Sequence, residues 1–297
     1  MGSELRTREV ADLVTAHRQT DGGGFVVRRP FPSGRLPLVD PFLLLDEMGP
    51  ADYLPGEAVG APDHPHRGFE TVTYMLEGEF EHEDSAGHRG SLRPGDVQWM
   101  TAGAGIVHSE APSATIREKG GRVHGFQIWV NLPARDKMMR PRYQEVPSNR
   151  IPTAATADGK ARVRVIAGEA LGVRAVIDTR IPIVYQDWQL DDGADVVVPL
   201  PREQQAMVYV FGGAAKVGEQ GRDVVDGQLA ILGDGDTVRL RANSAGGRLL
   251  LLAGVPLREP VARYGPFVMN SEREIRQAIA DFQSGKMGEI ARTAEVR

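Results

Sequence analysis

The stretch Gly60-Ala-Pro-Asp-His64-Pro-His66-Arg-Gly-Phe-Glu70-Thr-Val-Thr-Tyr-Met-Leu-Glu-Gly78 sets two histidines two residues apart, just ahead of a run with strand character. Successive side chains of a strand alternate between its faces, so His64 and His66 point the same way, about 6.6 Å apart along the chain. A second pair with the same spacing, His108-Ser-Glu110, follows 44 residues later. Two neighbouring strands carrying such pairs can bring four side chains to one point. Three imidazoles and a carboxylate form a mononuclear site suited to Fe(II), Mn(II), Ni(II), Co(II) or Zn(II). Six-coordinate iron there would keep two positions for water, dioxygen or substrate. A lone His-x-His on an exposed strand is usually just two solvated side chains, but two such pairs in a turn-rich setting are harder to dismiss. Inward-facing ionisable groups in a small barrel are costly when unpaired. Metal coordination removes that cost, and an aqueous ligand pocket does so less well.

The other histidines rank below these. Of the seven in the chain, six fall between residues 64 and 124. His82 and His88 flank Glu83-Asp84-Ser85, which reads as a hairpin turn, and this predicts solvated surface. His124 precedes the strand Phe126–Asn131, where it could orient a ligand or sit satisfied in the core. Glu70 has the parity of the His66 face and could be a ligand, a hydrogen-bond acceptor behind one, or a partner of Arg67. Glu110 is the better ligand because it pairs with His108.

Outward from the motif, Gly and Pro punctuate short runs with strand character: Gly24–Arg28, Glu70–Leu76, Val97–Met100, Phe126–Asn131, Arg162–Ala167, Ile183–Leu190, Ala206–Phe211, Leu229–Leu232, Thr237–Leu240 and Arg248–Leu252. Many short strands with Gly-rich turns predict an all-β sandwich or barrel. The best helical signal comes late. Ser271 and Glu274 have capping-box spacing, and Ile275, Ala278, Ile279 and Phe282 follow at helical intervals.

A weak internal repeat sharpens the reading. Tyr74-Met-Leu-Glu-Gly78 resembles Tyr209-Val-Phe-Gly-Gly213, and Gly95-Asp-Val-Gln-Trp99 corresponds to Gly227-Gln-Leu-Ala-Ile231. Two such units imply duplicated barrels, although any two hairpins of an all-β protein share some likeness. The alignment sets Pro199 at the place of His64, Pro201 at that of His66 and Gln205 at that of Glu70. One unit can therefore bind a histidine-ligated metal and the other cannot. The organisation expected is a metal-binding barrel over 20–135, a linker over 136–160, a second barrel over 161–256 without metal ligands, and a tail with a short helix over 257–297.

Composition excludes several alternatives. The 297 residues suit two domains, and 35 basic against 40 acidic side chains give a net charge of −5 without a basic block. Direct nucleic-acid binding is not expected. No cysteine is present, which excludes disulfides, thiolate sites and a cysteine nucleophile. The charged opening segment resembles neither a signal peptide nor an anchor, and no apolar run is long enough to span a bilayer. The expectation is a soluble cytoplasmic protein with no membrane contact.

The spacing Gly60-x3-His64-x-His66-x3-Glu70-x7-Gly78, followed by Gly95-Asp96 and His108, resembles the two cupin motifs. Within cupins, Asp63-His-Pro-His-Arg-Gly-Phe-Glu-Thr-Val-Thr73 resembles the signature of the pirin family. So do His82-Glu-Asp84, Gly95-Asp-Val-Gln-Trp-Met-Thr-Ala-Gly103, Gln127-Ile-Trp-Val-Asn-Leu132 and the tail Glu259-Pro-Val-Ala-Arg-Tyr-Gly-Pro-Phe-Val-Met-Asn270. The likeness runs from about residue 25 to 285. It implies a bicupin, two antiparallel β-barrels with a metal only in the first, held by His64, His66, His108 and Glu110, and with Glu70 outside the ligand set. The implied metal is Fe(II), with Mn, Ni, Co, Cu or Zn as alternatives. The implied activity is quercetin 2,3-dioxygenase-type cleavage of a flavonol with dioxygen, releasing carbon monoxide, with Glu110 as general base. The alternative is a redox- or metal-dependent regulator that binds a transcription factor or metabolic enzyme without catalysis. The resemblance also implies a monomer.

Overall fold

A computed structural model describes residues 5–21 and 24–291; the last six residues of the expected tail lie outside the described residues. The chain divides into two compact units, each drawn from separate stretches. One is built from Arg18–Arg29, Phe42–Ser148 and the chain from Leu257 onward. The other takes the chain up to His17, Pro30–Pro41 and Asn149–Pro256. The strands of both pair antiparallel, and the expected C-terminal helix is present at Glu272–Gln283.

The unit holding the histidines contains two large sheets and a small ladder of Ala262–Tyr264 with Phe267–Met269. A seven-stranded sheet runs in the order Arg142–Val146, Val97–Thr101, Phe69–Glu77, Gly121–Asn131, Phe42–Tyr53, Phe25–Phe31 and His17–Asp21. A four-stranded sheet runs Ala61–His66, Ile106–Pro112, Phe80–Asp84 and Arg89–Leu92. Alternation explains which residues turn inward. Phe80, His82 and Asp84 are buried while Glu81 and Glu83 are not. Phe25, Val27, Met48, Met75, Phe80, Leu92 and Val123 form one apolar core. A second core gathers Val107, Phe267, Met269, Ile275, Ala278 and Met287, so the tail and helix cover the strand that carries His108.

The helix begins as its capping box requires. The Ser271 side chain accepts from the Glu274 N–H, and its hydroxyl donates to the Glu274 carboxylate at 2.7 Å. The buried face differs from the expected one. Ile275 and Ala278 are buried, but Phe282 is exposed and Asp281 turns inward, because Arg67 donates to Asp281 at 2.9 Å.

The other unit is built on one large sheet ordered Val10–Thr15, Gln228–Leu232, Gln205–Val217, Thr237–Gly254, Ile183–Leu190, Ala161–Ala167 and Thr153–Ala155, beside a short hairpin of Glu169–Ala170 with Val173–Arg174. Asp195–Pro199 and Arg222–Val225 pair on the flanks of the large sheet. Its register carries the repeat. Tyr74 lies opposite Val97 in one unit, and Tyr209 lies opposite Leu229 in the other. The Gly95 N–H donates to the Met75 carbonyl, and the Gly227 N–H donates to that of Val210. Aligned residues therefore occupy equivalent places in the two ladders. Within the stretch 136–160, Arg142–Val146 pairs with Val97–Thr101, and Thr153–Ala155 pairs with Ala161–Ala167. Among the described residues no helix is long and apolar enough to cross a membrane.

Candidate metal centre

His64 and His66 lie on Ala61–His66, and His108 and Glu110 on Ile106–Pro112. The two strands pair antiparallel, with His108 opposite His64 and Ile106 opposite His66. A register shift after His108 sets Glu110 opposite Ala61. Residues directly opposite share a face, so the three imidazoles meet inside the unit. Their ligand-capable nitrogens all lie within 4.8 Å of one another. Nε2 of His64 is 3.1 Å from Nε2 of His66 and 2.9 Å from Nε2 of His108.

The donor set suits a metal ion. His64 Nδ1 is 2.7 Å from the Pro62 carbonyl. A carbonyl only accepts, so Nδ1 carries the proton and Nε2 presents a bare lone pair to the cluster. One lone pair cannot serve two neighbouring nitrogens at hydrogen-bond distance. Burial, together with the neighbouring imidazoles, holds His66 and His108 well below the ordinary histidine range, which keeps both neutral as ligation demands. The nitrogen spacings discriminate between geometries. Two nitrogens at a right angle on one metal lie about 3.0 Å apart, and two tetrahedral ones about 3.4 Å, for a metal–nitrogen bond of about 2.1 Å. The two separations measured from His64 Nε2 match the right-angled value.

Glu110 is buried and lines the same cavity as His64 and His66, but its carboxylate is not in the converging group, which consists of the three histidines. Thr73 Oγ1 donates to its Oε1 at 3.1 Å, and Gln127 Nε2 donates to its Oε2 at 2.9 Å. Each oxygen keeps acceptor capacity beyond those bonds. Glu70 is also buried and accepts from the Thr101 hydroxyl at 2.5 Å. Arg67 turns away from it, to the Ala104 carbonyl and to Asp281. The parity argument for Glu70 fails at Gly68, whose φ of +89° breaks the strand between His66 and Phe69.

His82 corrects the surface expectation. It points inward from Phe80–Asp84, is buried, and has Nε2 2.8 Å from Glu145. His88 is exposed and lies 2.8 Å from Asp84. His124 sits inside the strand Gly121–Asn131, with Nε2 2.8 Å from buried Glu47, which also takes Arg28.

The cavity above the histidines has a volume of about 480 Å³. Phe25, Val27, Leu44, Met48 and Phe80 give it an apolar wall, and Trp129, Arg29, Asp46 and Arg263 also line it. Several of these residues had no individual sequence signal. Thr73, Gln127, Trp129 and Arg263 fall within the blocks that carry the family likeness, yet nothing local marks their roles. Lys137 was equally silent. Its buried ammonium donates to the Gly68 carbonyl at 2.7 Å, to Asn131 Oδ1 at 2.6 Å and to the Val268 carbonyl at 3.0 Å. It thereby ties the turn after His66 to the tail.

Comparison with known proteins agrees with this architecture. Residues 24–130 match the pirin family and residues 185–288 the pirin C-terminal cupin domain. The chain is 44% identical to a pirin-like protein of Solanum lycopersicum over 95% of this chain and 94% of that one. It is 43% identical to pirin of Homo sapiens over 97% and 96%. The crystal structure of a quercetin 2,3-dioxygenase from Acinetobacter baumannii superposes with a TM-score of 0.90 at 38% identity, covering 96% of this chain and 100% of that one. With its two cupin units, one bearing the histidine cluster, the chain belongs to the pirin family.

Proposed function

We propose that this protein is a mononuclear metal dioxygenase of the quercetin 2,3-dioxygenase type, with one divalent ion, Fe(II) by preference, held by His64, His66, His108 and Glu110. The observation that carries the reading is the convergence of three imidazoles, with Nε2 of His64 at spacings suited to right-angled ligation from the other two, beside a cavity with an apolar wall that His64 and His66 also line. The similarity to a quercetin 2,3-dioxygenase over nearly the whole chain supports it.

Bound there, the metal would bring a substrate oxygen and dioxygen together and supply the redox chemistry that the ring cleavage needs. The protein supplies the rest. Glu110 takes the proton of the flavonol 3-hydroxyl on a carboxylate oxygen, while Thr73 and Gln127 fix the plane of that carboxylate. The apolar wall of Phe25, Val27, Leu44, Met48 and Phe80 excludes water from the ring system. The sites of His82 and His124 lie outside this chemistry, each held by a glutamate.

The test is aerobic turnover of quercetin by iron-loaded protein with detection of carbon monoxide. Release of carbon monoxide that disappears in His64→Ala is expected. Iron-replete protein that consumes no flavonol would overturn the assignment.

A further inference from the structure

Arg263 stands out among the charged groups of the cavity. Its guanidinium carbon lies 4.7 Å from the centroid of the Trp129 ring, and Nη1 donates to the Leu43 carbonyl at 3.3 Å. No carboxylate pairs with it among the described residues. The other guanidinium at the cavity is engaged through Nε and Nη2. Arg29 grips Asp46 through two bonds, of 2.6 and 2.5 Å, and also meets Asp21. Glu110 is held by Thr73 and Gln127, which uses the Thr73 hydroxyl and one of the two N–H donors of the Gln127 amide. Of the side chains lining the cavity, Arg263 keeps the most N–H donors for a ligand, with one of its five used against three of five in Arg29.

Charge points the same way. The cavity is lined by the carboxylates of Asp21, Asp46 and Glu110 and by the guanidiniums of Arg29 and Arg263. With a divalent ion on the cluster, the formal charges of these five side chains and the ion leave one net positive charge. A monoanion neutralises it. The guanidinium is also positioned in advance by its stacking on Trp129, which lowers the ordering cost of gripping a planar oxyanion.

We infer that the site selects aromatic substrates bearing a carboxylate, with the ring system against Phe25, Met48 and Phe80, the carboxylate on Arg263 and a hydroxyl oxygen toward the histidines. The inference rests on the metal-centre reading above and adds the substrate class to it.

The test is anaerobic fluorescence titration of metal-loaded protein, its metal content verified by elemental analysis, with 3-hydroxyflavone and with its 3′- and 4′-carboxylates. At least one carboxylate should bind on the order of ten- to a hundredfold more tightly than the parent compound, as a charge-assisted bond predicts. That ratio should fall to about one in Arg263→Gln and be partly kept in Arg263→Lys, which retains the charge but not the fork. Equal affinity for all three compounds in the wild type, or a preference that survives Arg263→Gln, would overturn the inference while leaving the metal centre intact. Failure of all three to bind the loaded protein would remove both this inference and the dioxygenase reading.

Discussion

Lys137 offers a prediction whose sign is opposite to intuition about a buried lysine with three hydrogen bonds. Its ammonium is about 1% exposed and is surrounded by oxygen acceptors, yet burial lowers its pKa from 10.5 to about 8 despite the pull of Glu259 and Glu274. Carrying the proton therefore costs the native state about 3 kcal/mol more than it costs the unfolded chain. Between pH 8 and 10.5 the unfolded chain holds that proton and the native state releases it, so this group's contribution to stability rises with pH across the window. Tyr53 and Tyr143 are pushed up by burial and act in the opposite sense as the pH approaches their unfolded range, so the comparison must be differential. Urea unfolding of wild type and Lys137→Met, from pH 7 to 10.5, isolates the effect. The wild-type stability minus that of the variant should grow by about 3 kcal/mol over the window. A difference that is flat, or that shrinks as pH rises, would refute the reasoning.

Other expectations concern the site. Glu110→Gln should keep the fold and lower flavonol turnover by about a hundredfold or more, measured as carbon monoxide released per metal. In metal-free protein, His66 and His108 stay neutral well below 6.5 while their unfolded counterparts protonate. Stability should therefore fall as pH drops below 6.5, and thermal melts with and without His108→Ala report the contribution of that residue. Gly68→Ala places a Cβ 2.0 Å from the Val268 carbonyl oxygen at a φ of +89°. A loss on the order of 2 kcal/mol or more is expected, along with weaker metal retention in equilibrium dialysis.

The parts legible in sequence were those governed by strict alternation. His64, His66 and His108 could be placed on a shared face because a strand repeats every two residues, and the paired strands bear this out. Ile183–Leu190 was read at its observed bounds because it is a long, mostly apolar run closed by Asp191-Asp192-Gly193. Thr237–Leu240 and Arg248–Leu252 were read as two strands, but they belong to one of eighteen residues. That strand changes partner along its length, from Asp195–Pro199 to Ile183–Leu190, and the small residues between the two runs resemble a turn. Phe42–Tyr53 was missed because Gly49-Pro50 interrupts it. The burial of His82 and Asp281 could not be read locally, since each is drawn in by a partner distant in sequence, Glu145 and Arg67. Arg263 shows the same limit, because its significance arises only where the tail meets Trp129.

The central claim is that three imidazoles hold one metal. Its most direct measurement is titration of metal-free protein with Co(II), read by isothermal calorimetry and by X-ray absorption of the loaded sample. Saturation is expected at one equivalent per chain, with three imidazole nitrogens bound in a six-coordinate environment, and loss of that site in His108→Ala. Saturable binding that persists unchanged in His108→Ala, or no stoichiometric binding to the folded wild type, would contradict it.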